Sequence, residues 1–172
     1  GEPYVFGDRV YLYGSHDRAY SADFCDYKLK VWSAPLDNLN EWVCHGHSFH
    51  TRPDRDHESD VPWTTNKLFA PDVIEKDGKY YLYAYIVGAK GCVAVSDKPE
   101  GPFTLISQYS YNIENHYDDG TFIDPGVLVD DDGRVYIAYG NREIYITELN
   151  EDLTGPKEGG LHRMAIKDTG DV

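Results

Sequence analysis

Hydrophobic and polar residues alternate along three stretches of the chain, and each stretch follows a short polar turn. The alternating stretches are Arg9–Tyr13, Lys79–Tyr85 and Arg134–Tyr139. The turns before them are Gly7-Asp8, Asp77-Gly78 and Asp132-Gly133. A period of two is typical of β-strands with one buried face, and glycine supplies the positive φ that a tight hairpin needs. The pattern therefore predicts three β-hairpins.

Each predicted hairpin belongs to a longer unit that recurs along the chain. A short apolar strand comes before the turn, the alternating strand follows it, and a third strand comes next. A fourth strand is plausible at Trp42–Cys44 and Phe103–Ile106 and is least clear in the last unit. The units span about residues 4–46, 72–107 and 126–158. Four antiparallel strands in about 40 to 50 residues are typical of a β-propeller blade.

The repeat predicts an all-β fold in which residues 1–172 cover about three four-stranded blades of a β-propeller. A β-sandwich is the alternative, but it does not explain why the same strand order recurs three times. Three blades leave two open sheet edges, whereas a propeller of roughly four to eight blades closes on itself. We expect the remaining blades to come from the rest of a longer protein or from another chain.

Longer insertions separate the predicted strands, and composition indicates what they bind. The insertions are Arg18–Asp26, His47–Phe69 and Gln108–Phe122, and we expect them to form loops over one face. Aromatic residues make up 14% of the chain, with 15 Tyr, and such side chains suit half-wet clefts that bind sugars.

The net charge of −14 argues against a nucleic-acid partner. No apolar run approaches the ~20 residues of a membrane span.

Cysteine and histidine patterns do not predict a metal site. The three cysteines are widely spaced and lack a C-x-x-C motif, so we expect buried free thiols rather than disulfides or zinc ligands. The odd count slightly favours the bacterial cytoplasm over secretion, although the localisation stays unknown. His45, His47, His50 and His57 lie close in sequence. Without an HExxH or Cys-His framework, we interpret them as scattered loop histidines.

Two aspartates precede the innermost strands of the second and third units. Asp124 lies in Phe122–Gly126, and Asp72 lies in Leu68–Val73. We expect these two carboxylates to occupy equivalent places in consecutive blades. Hydrolysis of a glycosidic bond needs such acids, because the leaving oxygen must be protonated while water or a carboxylate attacks the anomeric carbon.

These motifs resemble glycoside hydrolase family 43, which contains five-bladed β-propeller β-xylosidases and α-L-arabinofuranosidases. The resemblance rests on Gly1–Asp17, Phe69–Val73 and Ile123–Gly133, and it identifies the chain as the N-terminal portion of the catalytic domain. It implies an inverting glycoside hydrolase that acts on xylan- or arabinan-type glycosides, with a xylo- or arabino-oligosaccharide as substrate. Inversion requires the acid and the base to stand roughly 6.5 to 9.5 Å apart.

The resemblance also implies roles for individual residues. Asp124 matches the aspartate that modulates the pKa of the general acid and orients the substrate. The general base is expected just before Gly1, and the general acid is expected after Val172. Neither Glu2 nor Glu100 matches these positions. Residues 1–172 alone are therefore expected to be inactive.

Asp72, His16, Asp17 and Phe69 are the predicted substrate-binding residues. Each has a structural alternative, because the polar ones could hold turns or hydrogen bonds, and large aromatics such as Phe69 and Trp63 often pack between blades. His116 is a weaker candidate in the loop before Asp124.

We expect no required cofactor. The run Asp130–Asp132 lacks the spacing of an EF-hand and predicts a hairpin turn. The resemblance permits a structural calcium ion, but its ligands are not assignable from this sequence. A non-catalytic carbohydrate-binding propeller is the alternative function. A WD or kelch interaction propeller is disfavoured, because neither signature recurs in the units.

Overall fold

The computed structural model describes residues 2–88, 90–109, 123–140, 144–160 and 162–164. All regular elements in these ranges are β-strands, in agreement with the predicted all-β class. No helix in the described ranges has the length and apolar character needed to cross a membrane. His116 and most of the predicted insertion Gln108–Phe122 lie outside the described residues.

The first sheet is built from antiparallel neighbours in chain order. Its strands are β1 (Pro3–Phe6), β2 (Arg9–Ser15), β3 (Lys28–Pro35) and β4 (Val43–Cys44), with β5 (Phe49–His50) also paired to β3. Strand β5 pairs with the start of β3, while β4 pairs further along it. The outer edge of this sheet is therefore shared by two short strands, one of which falls in a segment predicted to be loop.

The second and third sheets follow the same up-and-down order. The second contains β6 (Leu68–Lys76), β7 (Lys79–Ile86), β8 (Lys90–Ser96) and β9 (Thr104–Tyr109). The third contains β10 (Gly126–Val129), β11 (Val135–Gly140), β12 (Ile144–Glu148) and β13 (His162–Arg163). The fourth strand of the third sheet, which the sequence left unclear, is the two-residue strand β13. The order of the strands confirms the arrangement predicted for propeller blades.

The predicted hairpin turns are present. Asp77 and Gly78 connect β6 to β7 with φ values of 53° and 75°, the left-handed pair that a two-residue hairpin turn requires. The acidic run Asp130–Asp132 forms the turn between β10 and β11, where the Gly133 amide donates to the Asp130 carbonyl at 2.8 Å. It adopts the hairpin turn that its sequence predicts.

The second sheet is buried on both faces. On β6 and β7, Val73 and Leu82 pack into a core shared with the first sheet, while Ile74 and Tyr83 pack into a second core shared with the third sheet. Alternate side chains of a strand point to opposite faces, so each apolar residue of this sheet supports one of two blade contacts. Each square ångström of apolar surface so removed from water contributes about 25 cal/mol.

Burial of the thiols differs from the prediction at one position. Cys25 and Cys92 are buried free thiols, but Cys44 is exposed because β4 is a two-residue edge strand with both side chains in solvent. The second sheet buries Cys92 completely, and this burial raises the pKa of its thiol to about 12.

Candidate active site

The innermost strands of all three sheets begin at the same end of the molecule. Strand β2 ends there at Ser15, whose hydroxyl accepts a 2.9 Å hydrogen bond from the Ala70 amide near the start of β6. The segment between β2 and β3 also reaches this end, because the Asp26 carbonyl accepts a 3.0 Å hydrogen bond from the Leu68 amide. Residues from several blades are thereby brought onto one face, where Asp124 also lies ahead of β10.

Asp124 is exposed and has an unusual backbone conformation. Its φ is 51°, a left-handed value that asparagine and aspartate tolerate better than other side chains. The segment is fixed on both sides, because Pro125 is buried and the Ile123 carbonyl accepts a 2.9 Å hydrogen bond from the Gly140 amide. The fold therefore holds this carboxylate in solvent on a constrained backbone, an arrangement common at functional sites.

Asp72 has the opposite environment. It is only 3% exposed. Its Oδ1 accepts hydrogen bonds from the Tyr4 hydroxyl at 2.7 Å and from the Val73 amide at 2.9 Å, and its Oδ2 accepts one from the Val127 amide at 2.6 Å. Burial raises the pKa of Asp72 more than these hydrogen bonds lower it. Because the donors come from three sheets, this carboxylate joins three blades, and direct sugar contact by Asp72 stays a prediction.

Strand register shows that Asp72 and Asp124 do not occupy equivalent places. Val73 pairs with Leu82 as Val127 pairs with Ile137, so Asp72 corresponds to Gly126. The counterpart of Asp124 is Ala70, which has a φ of 35° and is followed, like Asp124, by a buried proline.

The predicted equivalence is therefore wrong by two residues. The two motifs align without a gap, because the bulge between Phe69 and Asp72 has a counterpart in the third sheet, where the Gly140 amide donates to the Ile123 carbonyl and Gly126 pairs with Ala138. The sequence suggested a match because each motif combines proline with aspartate, but the aspartate precedes the proline in one motif and follows it in the other.

His16 and Asp17 lie at the end of β2, next to the candidate site. The Nδ1 atom of His16 is 3.3 Å from Asp26 Oδ2, and Asp17 Oδ1 accepts a 2.6 Å hydrogen bond from the Cys25 amide. Asp17 thus closes the segment between β2 and β3 by bonding across eight residues. His16 and Asp17 therefore have the structural role that was the alternative to substrate binding. Their contact with a sugar stays a prediction.

Cys25 is a site neighbour that sequence reasoning missed. Burial raises the pKa of its thiol, a hydrogen bond with Ser15 lowers it, and the negative charges of Asp17 and Asp124 raise it further. The thiol therefore lies within electrostatic reach of both carboxylates. Cys25 lies in a polar insertion, and no pattern in the sequence indicates that this loop folds back onto the end of β2.

Phe69 lies in β6 rather than in the loop where the sequence placed it. Its ring centroid is 5.9 Å from that of Tyr85, and it lines a cleft of about 440 Å³ formed with the segments around Phe24 and Lys67. Trp63 packs against the core between the first two sheets, in agreement with the packing alternative.

Three of the loop histidines form a cluster rather than being scattered. The ring centroid of His47 is 4.1 Å from that of His50 and 4.2 Å from that of His57. Carboxylates of Asp54 and Asp60 lie 3.0 to 3.6 Å from their ring nitrogens. Across the described ranges, however, no group of three or more His, Cys, Asp or Glu residues is arranged to hold a metal ion.

Comparison with known proteins gives a family match along most of the chain. The model of the family described as "Glycosyl hydrolases family 43" matches residues 4–168. The curated "Xylosidase/arabinosidase 43A" of Humicola insolens is 38% identical over 149 residues, which cover 80% of this chain and 41% of that protein.

Solved structures agree with this match. An α-L-arabinofuranosidase from Clostridium thermocellum ATCC 27405 has a TM-score of 0.71 and 27% identity, covering 95% of this chain and 55% of its own. CoXyl43, a β-xylosidase/α-arabinofuranosidase from a compost microbial metagenome, was determined with xylotriose in a calcium-free form. Its TM-score is 0.70 at 26% identity, covering 95% of this chain and 57% of its own. These neighbours are five-bladed β-propellers, and the chain spans about half their length. The chain belongs to glycosyl hydrolases family 43.

Proposed function

We propose that the full-length protein is an inverting glycoside hydrolase that removes β-xylosyl or α-L-arabinofuranosyl residues from xylo- or arabino-oligosaccharides. The observation that carries this proposal is the family match over residues 4–168. The described strands supply about three of the blades, within the partial catalytic domain formed by residues 1–172. The remaining blades come from the rest of the protein or from another chain.

Asp124 acts in this proposal as the residue that modulates the pKa of the general acid. Its exposed carboxylate and constrained backbone support that role, because a fixed charge stabilises developing charge without reorganising during the reaction. The same carboxylate would raise the pKa of a neighbouring acid and keep that acid protonated for donation to the leaving oxygen.

Strand register supports the expected position of the general base. Pro3 pairs with Leu12 as Val73 pairs with Leu82, so Glu2 corresponds to Asp72. A residue directly ahead of Gly1 then corresponds to Ala70 and Asp124, and an aspartate there would reach the same face from the first blade. The general acid is proposed to follow Val172. Asp72, His16, Asp17 and Phe69 remain the proposed substrate contacts of this face.

The proposed reaction needs no cofactor, because carboxyl groups and water supply its chemistry. CoXyl43 holds xylotriose in a calcium-free form. That observation supports substrate binding without calcium, and calcium in the full propeller would have a structural role.

Product stereochemistry of the full-length protein tests this proposal. Proton NMR of freshly cleaved xylotriose or an arabinofuranosyl oligosaccharide should show first the anomer opposite in configuration to the substrate linkage, which then mutarotates. First appearance of the same configuration would contradict inversion. Binding without turnover, in a protein whose gene lacks an aspartate before Gly1 and a glutamate on the next blade, would support the alternative of a non-catalytic carbohydrate-binding propeller.

A further inference from the structure

An open groove runs outward from Phe69 between two loops on the candidate-site face. Its walls come from the segment between β2 and β3 and from the segment that leads into β6, and its volume is about 440 Å³. This size lies within the roughly 300–1,000 Å³ of ligand clefts in proteins. Phe24 lines the groove and is 81% exposed, so its ring is presented to solvent.

The walls of the groove are held by specific contacts. The guanidinium carbon of Arg52 lies 3.3 Å from the centroid of the Tyr27 ring, and Arg52 Nε donates to the Thr65 carbonyl at 2.8 Å. Across the groove, Lys67 Nζ is 3.0 Å from Asp23 Oδ2. The loop that carries Phe24 is therefore tied to the segment that leads into β6.

The chemistry of the lining fits a neutral, hydroxyl-rich ligand. Phe24 and Phe69 offer apolar ring surface, while Asp23, Lys67 and Arg52 offer hydrogen-bonding groups of both charges. A single exposed aromatic residue is ordinary on a protein surface. Here two aromatic side chains and both charge types line one groove, a combination that matches the apolar C–H faces and polar hydroxyl edges of a sugar.

The groove reaches the candidate-site face at Phe69. Phe69 lines the groove and directly precedes Ala70, which is the register counterpart of Asp124. The Ala70 amide donates to the Ser15 hydroxyl at 2.9 Å, at the end of the strand that leads into the loop carrying Phe24. An oligosaccharide whose terminal sugar is cleaved beside Asp124 must continue away from that point, and this groove offers a path.

We propose that this groove, with Phe24 as its stacking platform, binds the sugar residues on the leaving-group side of the cleaved bond. This inference rests on the proposed hydrolase function. A groove that binds these sugars predicts that the enzyme prefers xylo- or arabino-oligosaccharides over glycosides with small leaving groups.

The test compares two substrates of the full-length protein, xylotriose and β-D-xylosyl fluoride. If the protein prefers arabinosides, the α-L-arabinofuranosyl counterparts replace them. Fluoride leaves no sugar on the leaving-group side, so it bypasses the groove. Phe24→Ala should lower kcat/KM for the trisaccharide about fivefold to tenfold, mainly by raising KM, because it removes an aromatic contact. It should leave kcat/KM for the fluoride within about twofold, and Phe24→Tyr should restore the trisaccharide value.

Tyr20→Ala is the matched control. Tyr20 lies on the same loop and is fully exposed, but it is not among the residues that line the groove, so its removal should change neither substrate. An equal loss on both substrates in Phe24→Ala, or no loss on either, would overturn the groove assignment. If the wild-type protein hydrolyses neither substrate nor the arabinofuranosyl counterparts, the proposed function itself fails.

Discussion

Asp72 and Asp124 lie near the starts of consecutive innermost strands, yet they have opposite surroundings. Asp72 is buried and accepts hydrogen bonds from Tyr4, Val73 and Val127. Asp124 is exposed on a left-handed backbone. The carboxylate of Asp72 contributes to the fold through these three hydrogen bonds, whereas that of Asp124, held in solvent by a constrained backbone, is the more accessible of the two to a ligand.

The comparison also separates two uses of one blade position. Ala70 and Asp124 correspond in register, and both adopt positive φ ahead of a buried proline. A positive φ followed by a buried proline is therefore common to both blades, while the side chain differs. The second blade uses this position without a charge, and the third blade presents a carboxylate there.

The largest effect on stability is expected from Asp72→Asn. The amide NH₂ of asparagine cannot accept a hydrogen bond, so either the Val127 amide or the pair Tyr4 and Val73 loses its acceptor. We expect the free energy of unfolding of the full-length protein to fall by about 2–4 kcal/mol, because buried donors are left unpaired. Denaturant titration measures this fall. A loss below about 0.5 kcal/mol, the range of ordinary surface substitutions, would show that Asp72 does not join the blades.

A smaller effect is expected from Tyr4→Phe. The substitution removes only the hydroxyl that donates to Asp72 at 2.7 Å, and two backbone donors remain on the carboxylate. The free energy of unfolding should fall by about 1 kcal/mol, measured in the same titration. Tyr20→Phe is the control, because that side chain is fully exposed and its change should have no measurable effect. Equal losses in Tyr4→Phe and Asp72→Asn would mean that the backbone donors contribute nothing.

The hairpins were predictable from sequence because their signals are local. Alternation in β2, β7 and β11 and glycine-containing turns fix the period and the chain reversal within a few residues. The two-residue strands β5 and β13 gave no such signal, since their pairing depends on longer strands elsewhere in the sheet. Local patterns thus predicted the blades, including the outer strands β4 and β9, but not the short strands β5 and β13.

The candidate site was predictable only in part. Asp124 was found because a proline follows it in a recurring context, but its lack of equivalence to Asp72 became clear only from the strand register, which aligns Pro71 with Pro125 and leaves the two aspartates on opposite sides of these prolines. Loop folding brings Cys25 next to Asp17. It also brings His47, His50 and His57 into one cluster. Contacts between residues of one irregular loop, or between that loop and a distant strand, have no periodic signature.

The most direct test of the contrast between the two aspartates is Asp124→Asn in the full-length protein. Asparagine tolerates the left-handed backbone and preserves the shape of the side chain, so only the charge is lost. We expect kcat/KM for the preferred oligosaccharide to fall about 100-fold or more. The free energy of unfolding should stay within about 0.5 kcal/mol of wild type. A kcat/KM within about threefold of wild type, far from the loss typical of such charges, would contradict the assignment of Asp124 to the active site.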